Sequence, residues 1–146
     1  MKKLILIAMT IAATKAVAAC PNLVGQWVCG DPGATSNVAI TQSAIVNGIH
    51  YALTDSSGVT DWYVDGTKHA FDNGDFQGTV SGQCSDDGKS FATVTDVATA
   101  DGTVKIYETQ NNVLDGDKLT VTRNTTSTIQ DQEPSTTNLN FSCVKK

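Results

Sequence analysis

The chain has 146 residues, is 40% hydrophobic, and carries ten basic against fifteen acidic side chains for a formal charge of −5. That acidic balance makes nucleic acid and anionic membrane surfaces poor partners. The length suits one domain with a single core rather than several.

Met1-Lys2-Lys3 places two cations ahead of an apolar run from Leu4 to Ala13, and Ala16-Val17-Ala18-Ala19 follows with the small residues of a cleavage site. This is the pattern of a secretory signal peptide, and the run is too short for a permanent membrane-spanning helix. Residues 1–19 are therefore read as a signal peptide and 20–146 as one exported domain, secreted or periplasmic, with no transmembrane segment. Removing 1–19 takes away Lys2, Lys3 and Lys15 and no acid, which moves the formal charge from −5 to −8. Cys20, Cys29, Cys84 and Cys143 all fall in that domain. An even count in an oxidising compartment predicts two disulfides, each contributing about 2–4 kcal/mol. No pair of them has zinc-site spacing, so no metal is assigned to them. Val17-Ala18-Ala19-Cys20 also resembles a bacterial lipobox, in which Cys20 would be a lipidated N-terminus. That would leave three cysteines, and Lys15 interrupts the apolar approach, so even pairing is the simpler account.

Beyond Cys20 the chain is rich in Thr and Val, and no stretch carries a 3.6-residue apolar stripe with caps, which is strand composition. Turn dipeptides recur at short intervals: Asn47-Gly48, Ser57-Gly58, Asp65-Gly66, Asn73-Gly74, Asp87-Gly88, Asp101-Gly102 and Asp115-Gly116. This predicts an all-β, antiparallel up-and-down meander closing into a small barrel of about eight strands, or a sandwich.

The hairpin registers can be written out, because a tight turn fixes which residues oppose and side chains alternate with period two. A turn at Asn47-Gly48 sets Ala44 against Tyr51 and Gln42 against Leu53, with Val38 and Ile40 on the same face. Asp87-Gly88 sets Cys84 against Phe91 and Val80 against Thr95. Asp101-Gly102 sets Val97 against Ile106, Thr95 against Glu108 and Thr93 against Gln110. Asp115-Gly116 sets Glu108 against Arg123, Gln110 against Val121 and Asn112 against Leu119. One inner face therefore mixes Phe91, Val97, Ile106, Leu119 and Val121 with Thr93, Thr95, Glu108, Gln110 and Arg123. A dry core would not hold an unpaired charge. Glu108 and Arg123 are thus expected as neighbours, either paired at a rim or lining a partly polar cavity. From Asn124 to Asn138 the chain is Thr, Ser, Asn and Gln around Pro134, which predicts a long polar loop, and strand character returns to Val144. In a closed meander the last strand lies on the first, which would bring Cys143 near Cys29.

Leu23-Val24-Gly25-Gln26-Trp27 resembles the first strand of the calycins, the barrel group of lipocalins and avidins, with its Gly-x-Trp motif. Cys20 ahead of that motif, Ser36-Asn37 before a hairpin, and Gly82-Gln83-Cys84 with Asp87-Gly88-Lys89 are similar to avidin segments. Gly116-Asp117 with Thr122-Arg123 resembles the late strand whose arginine packs over the first-strand tryptophan. The resemblance implies a calycin-like barrel in which Trp27 and Arg123 are structural, the cation stacked on the indole for about 0.5–2 kcal/mol. It also implies Cys20 with Cys84, leaving Cys29 for Cys143. Tyr51 and Ser36 fall near ligand-touching positions of avidins, but biotin sites use several tryptophans and this chain has only Trp27 and Trp62.

No catalytic motif accompanies His50 and His69, the only histidines, which are read as exposed strand or loop residues. The acidic turns at 72–75, 86–87 and 115–117 lack the EF-hand pattern and are explained by turn chemistry. These readings converge on an exported, non-enzymatic, lipocalin-like binding protein for a small polar or amphipathic ligand, with no cofactor. Its candidate ligand-binding residues are Gln42, Tyr51, Glu108 and Gln110. The alternative is a secreted protein-interaction module, a hydrolase inhibitor or surface factor, acting through acidic loops and the 124–138 segment.

Overall fold

Alternation of β-branched and polar residues between Gly-containing turns produces strands throughout. The computed structural model describes residues 19–31 and 34–146. The signal peptide read over 1–19 lies, except for Ala19, outside the described residues. Ten strands follow one another: β1 (Gly25–Asp31), β2 (Ala34–Ile45), β3 (Gly48–Asp55), β4 (Gly58–Val64), β5 (Lys68–Asp72), β6 (Phe76–Cys84), β7 (Ser90–Thr99), β8 (Val104–Asp115), β9 (Lys118–Ile129) and β10 (Ser135–Lys145).

All pairs are antiparallel, in the order β4-β3-β2-β1-β10-β9-β8-β7-β6-β5. The last strand lies on the first, Cys29 opposite Cys143. The edges β4 and β5 are consecutive in sequence, and β4 packs on β6 beside them. The sheet is thus a nearly closed barrel with a seam at β4 and β5. There are ten strands rather than about eight. All seven of those turn signals do mark connections, but the β1–β2 connection, where the sequence has Pro32-Gly33, and the β9–β10 connection, which has no glycine, lie outside them. The second of these corrects the polar loop expected over 124–138. β9 runs to Ile129 and β10 starts at Ser135, with Ser127 opposite Ser135 and Asn124 opposite Asn138. A threonine-rich run looks polar, but its β-branched side chains suit an extended backbone.

The registers about Asp87-Gly88 and Asp101-Gly102 are as expected: Cys84 opposes Phe91, Thr95 opposes Glu108 and Thr93 opposes Gln110. Two others slip by one turn residue. Ile45 pairs with Gly48, so the turn is Val46-Asn47, with Asn47 at φ 64°, and Gln42 faces Tyr51 rather than Leu53. Gly48 serves instead for close approach, since a Cβ there would lie 2.1 Å from the Val64 carbonyl oxygen. Asp115 pairs with Lys118, so Gly116-Asp117 turns the chain, and Gln110 rather than Glu108 opposes Arg123. Each slip moves the partner by two residues, which leaves every side chain on its expected face.

Two disulfides, Cys20–Cys84 and Cys29–Cys143, staple the barrel, and no cysteine is free among the described residues. The core gathers at one end, where Leu23, Trp27, Tyr51, Val64, Phe91 and Leu119 are buried. Each such large apolar side chain contributes about 1.5–3 kcal/mol of burial. Residues 20–24 enter this end as a plug. The Trp27 indole Nε1 donates to the Leu23 carbonyl at 2.8 Å, and the Tyr51 hydroxyl donates to the Pro21 carbonyl at 2.6 Å. No described helix is long and apolar enough to cross a membrane.

Candidate functional site

Beyond the plug the interior opens into a cavity of about 750 Å³. Its walls follow from period two on tall strands. On β8, Asn112, Gln110 and Glu108 step from the packed end toward the open one. Val121 and Arg123 do so on β9, and Thr93 and Thr95 face them from β7. The apolar walls are Leu53, Trp62, Phe71 and Phe141, and Asp55, Asp61 and Asp72 also line the cavity.

The polar groups are mutually satisfied in one direction. The Arg123 Nε donates to Gln110 Oε1 at 3.1 Å, Gln110 Nε2 donates to Asn112 Oδ1 at 2.8 Å, and Asn112 Nδ2 donates to the Phe91 carbonyl at 3.5 Å. Glu108 Oε1 lies 3.6 Å from the Arg123 Nε, and its other carboxylate oxygen accepts the Thr125 hydroxyl at 2.9 Å. Gln110 and Asn112 are 3% and 0% exposed, yet no buried side-chain nitrogen or oxygen lacks a partner among the described residues.

Of the four residues expected to line a site, Glu108 and Gln110 do line the cavity. Gln42 and Tyr51 share its face but serve the plug. Gln42 Oε1 accepts the Leu23 amide at 3.3 Å, and Tyr51 is 0% exposed with its hydroxyl on Pro21. Burial holds the Tyr51 phenol well above the ordinary tyrosine range. Ser36 lines the cavity. Trp27 is a buried floor residue, but the cation over its ring is Lys145, whose Nζ lies 5.7 Å from the centroid. Arg123 cannot take that role. Lys145 opposes Trp27, whereas Arg123 opposes Leu139 on the same strand, about 20 Å away at some 3.3 Å per residue.

Trp62, Phe71 and Phe141 were not among the expected lining. Trp62 was within reach, since applying the register argument to Ser57-Gly58 puts even-numbered β4 residues on the Tyr51 face, and Trp62 indeed opposes Tyr51.

The two histidines are half-buried rather than exposed, and both stack on Tyr63 from opposite sides, with centroids 4.6 Å away for His50 and 4.5 Å for His69. His50 Nε2 lies 2.7 Å from Asp61 Oδ1, and His69 Nε2 lies 3.0 Å from Asp65 Oδ2. This stack spans β3, β4 and β5 across the seam. No described group of three or more His, Cys, Asp or Glu side chains is arranged to hold a metal ion. No family model, curated protein or solved structure matches the chain.

Proposed function

We propose that this is an exported, non-enzymatic binding protein that holds a small polar or amphipathic molecule inside its barrel. The observation that supports the reading is the cavity. Its volume of about 750 Å³ falls within the roughly 300–1,000 Å³ usual for ligand sites. Its lining is mixed, with apolar and aromatic walls and nearly as many polar side chains, some of them oriented by hydrogen bonds, which suits a polar or amphipathic molecule. The lipocalin-like likeness agrees with a barrel plugged at one end and open at the other. The two disulfides fit an oxidising compartment, secreted or periplasmic.

Native mass spectrometry of the protein purified from its own host tests this. The expected result is an added small-molecule mass that survives gentle ionisation and is lost on denaturation. A bare chain that also binds no charged or neutral aromatic probe would overturn the reading.

A second reading, a module that captures a protein partner, is favoured by the β9–β10 arm. Residues 131–140 are exposed, and β1 pairs with β10 only from Cys143 to Lys145, so the outer edge of 135–142 is unpaired by β1. Such an edge can accept an added strand. Under this reading deletion of 126–136 abolishes partner capture, whereas under the first it leaves the retained small molecule in place.

A further inference from the structure

The hydrogen-bond chain through the interior has a fixed polarity. A guanidinium only donates and a backbone carbonyl only accepts, so the ends on Arg123 and on the Phe91 oxygen dictate how both amides between them are turned. A barrel interior could be filled at Gln110 and Asn112 with apolar side chains. Two buried amides, each costly if left unpaired, are instead spent on orienting one side chain.

They hold it by one edge. Gln110 engages the Nε of Arg123, and Glu108 flanks the same atom, itself fixed by Thr125. The two terminal nitrogens of Arg123 have no hydrogen-bond partner among the described residues, and the side chain lines the cavity. A guanidinium held at Nε presents its terminal N–H groups as a planar fork, which matches the two oxygens of a carboxylate.

From this geometry, and resting on the cavity as a binding site, we infer that Arg123 is the anchor for a carboxylate on the ligand, whose flat apolar body lies among Trp62, Phe71 and Phe141. Gln110 and Asn112 act through Arg123 as positioning residues. The opposing chemistry is also present, since Glu108, Asp55, Asp61 and Asp72 line the same cavity and would suit an amine. A carboxylate is the better fit because those acids already have partners, Glu108 in the Thr125 hydroxyl and the Arg123 Nε, Asp55 in Ser57, Asp61 in His50 and Asp72 in the Gly74 amide, whereas the fork of Arg123 has none among the described residues.

Three probes of one shape separate the possibilities: 2-naphthylacetic acid, 2-naphthylacetamide and 2-(2-naphthyl)ethylamine, titrated calorimetrically at neutral pH up to millimolar concentration. The acid is expected to bind at least about tenfold more tightly than the amide, a preference lost in Arg123→Gln while the amide's affinity changes little. Arg123→Lys, which keeps the charge but not the fork, is expected to lose most of it. A second measurement needs no variant. Arg123 is the chain's single arginine, so its Nε–H gives one side-chain nitrogen signal, expected to move with the acid and not with the amide. Equal binding of acid and amide, tighter binding of the amine, or an unmoved arginine signal would overturn the anchor and leave the cavity reading standing. No binding by any of the three would overturn both.

Discussion

Tyr51 carries more of the closed end than its apolar area suggests. Its ring stacks on Phe91 at 5.1 Å between centroids, and its hydroxyl reaches the buried Pro21 carbonyl across the plug. Tyr51→Phe keeps the ring and orphans that carbonyl, so a loss of about 1–3 kcal/mol is expected. Chemical denaturation should show it as a lower midpoint at unchanged slope. The phenol's raised pKa has a sign as well. The neutral form is favoured in the fold, so its contribution is complete below the ordinary tyrosine value near 10 and declines as pH rises above it. Tyr51→Phe should therefore lose part of the alkaline destabilisation expected of the parent.

Asp101 titrates at the other extreme. The Thr99 hydroxyl donates to its carboxylate at 2.6 Å, the Thr103 amide at 3.0 Å and the Thr103 hydroxyl at 2.8 Å. Together these bring its pKa down to about 2. A carboxylate depressed in the fold stabilises above its unfolded value and ceases to as pH falls through its folded one. The Asp101 contribution should thus be intact above about pH 4 and disappear as the pH approaches 2. Carboxyl carbon shifts across that window test it, with Asp101→Asn removing the transition. A titration midpoint at the ordinary aspartate value would refute the turn geometry.

At the scale of elements, the seam depends on how closely β4 approaches β6. The Gly66 amide donates to the Gly82 carbonyl at 2.8 Å, and a Cβ on Gly82 would lie 2.7 Å from the Tyr63 carbonyl oxygen and 3.2 Å from Val64. The first of those atoms is backbone, so β4 itself has to move. Gly82→Ala should therefore cost about 1–3 kcal/mol. It should also speed hydrogen exchange at the Gly66 amide while leaving the β8–β9 amides protected. Unchanged protection at Gly66 would mean that the seam is not held there.

The same elements explain what was legible from the sequence. Period two assigns a side chain to a face, and a slipped turn moves partners by two, so the inner surface survived both wrong turns. Period two does not encode depth along the barrel. Gln42 and Tyr51 share a face with Glu108 and Gln110 but sit at the plugged end. Arg123 shares the interior with Trp27 but lies some six residues of strand away from the Lys145 that covers it. The plug itself, from Cys20 to Val24, has no periodicity to read, because its bonds run from backbone groups to side chains 19 and 30 residues away.

Over the whole molecule the strand directions sort the charges. The loops at the open end hold Asp75, Asp101, Asp131 and Glu133, with Asp55 closing β3 and Asp72 closing β5 beside them. At the plugged end Lys68, Lys89, Lys118, Lys145 and Lys146 offset the acids of the turns there. Asp55 remains ionised at neutral pH, since the Ser57 hydroxyl and amide lower its pKa. A molecule entering the cavity therefore crosses an acidic rim before it meets Arg123, and the two act on different rate constants. The rim repels an anion during approach, whereas the anchor holds it afterwards. Raising ionic strength from about 0.01 to 0.15 M shortens the screening length from about 30 to 8 Å. The association rate of 2-naphthylacetic acid should therefore rise with salt, that of the naphthylethylamine should fall, and the amide should be nearly indifferent. Stopped-flow naphthalene fluorescence measures all three. An acid association rate that falls with salt would mean that Arg123 governs approach as well as retention, and that the rim exerts no field on the path in.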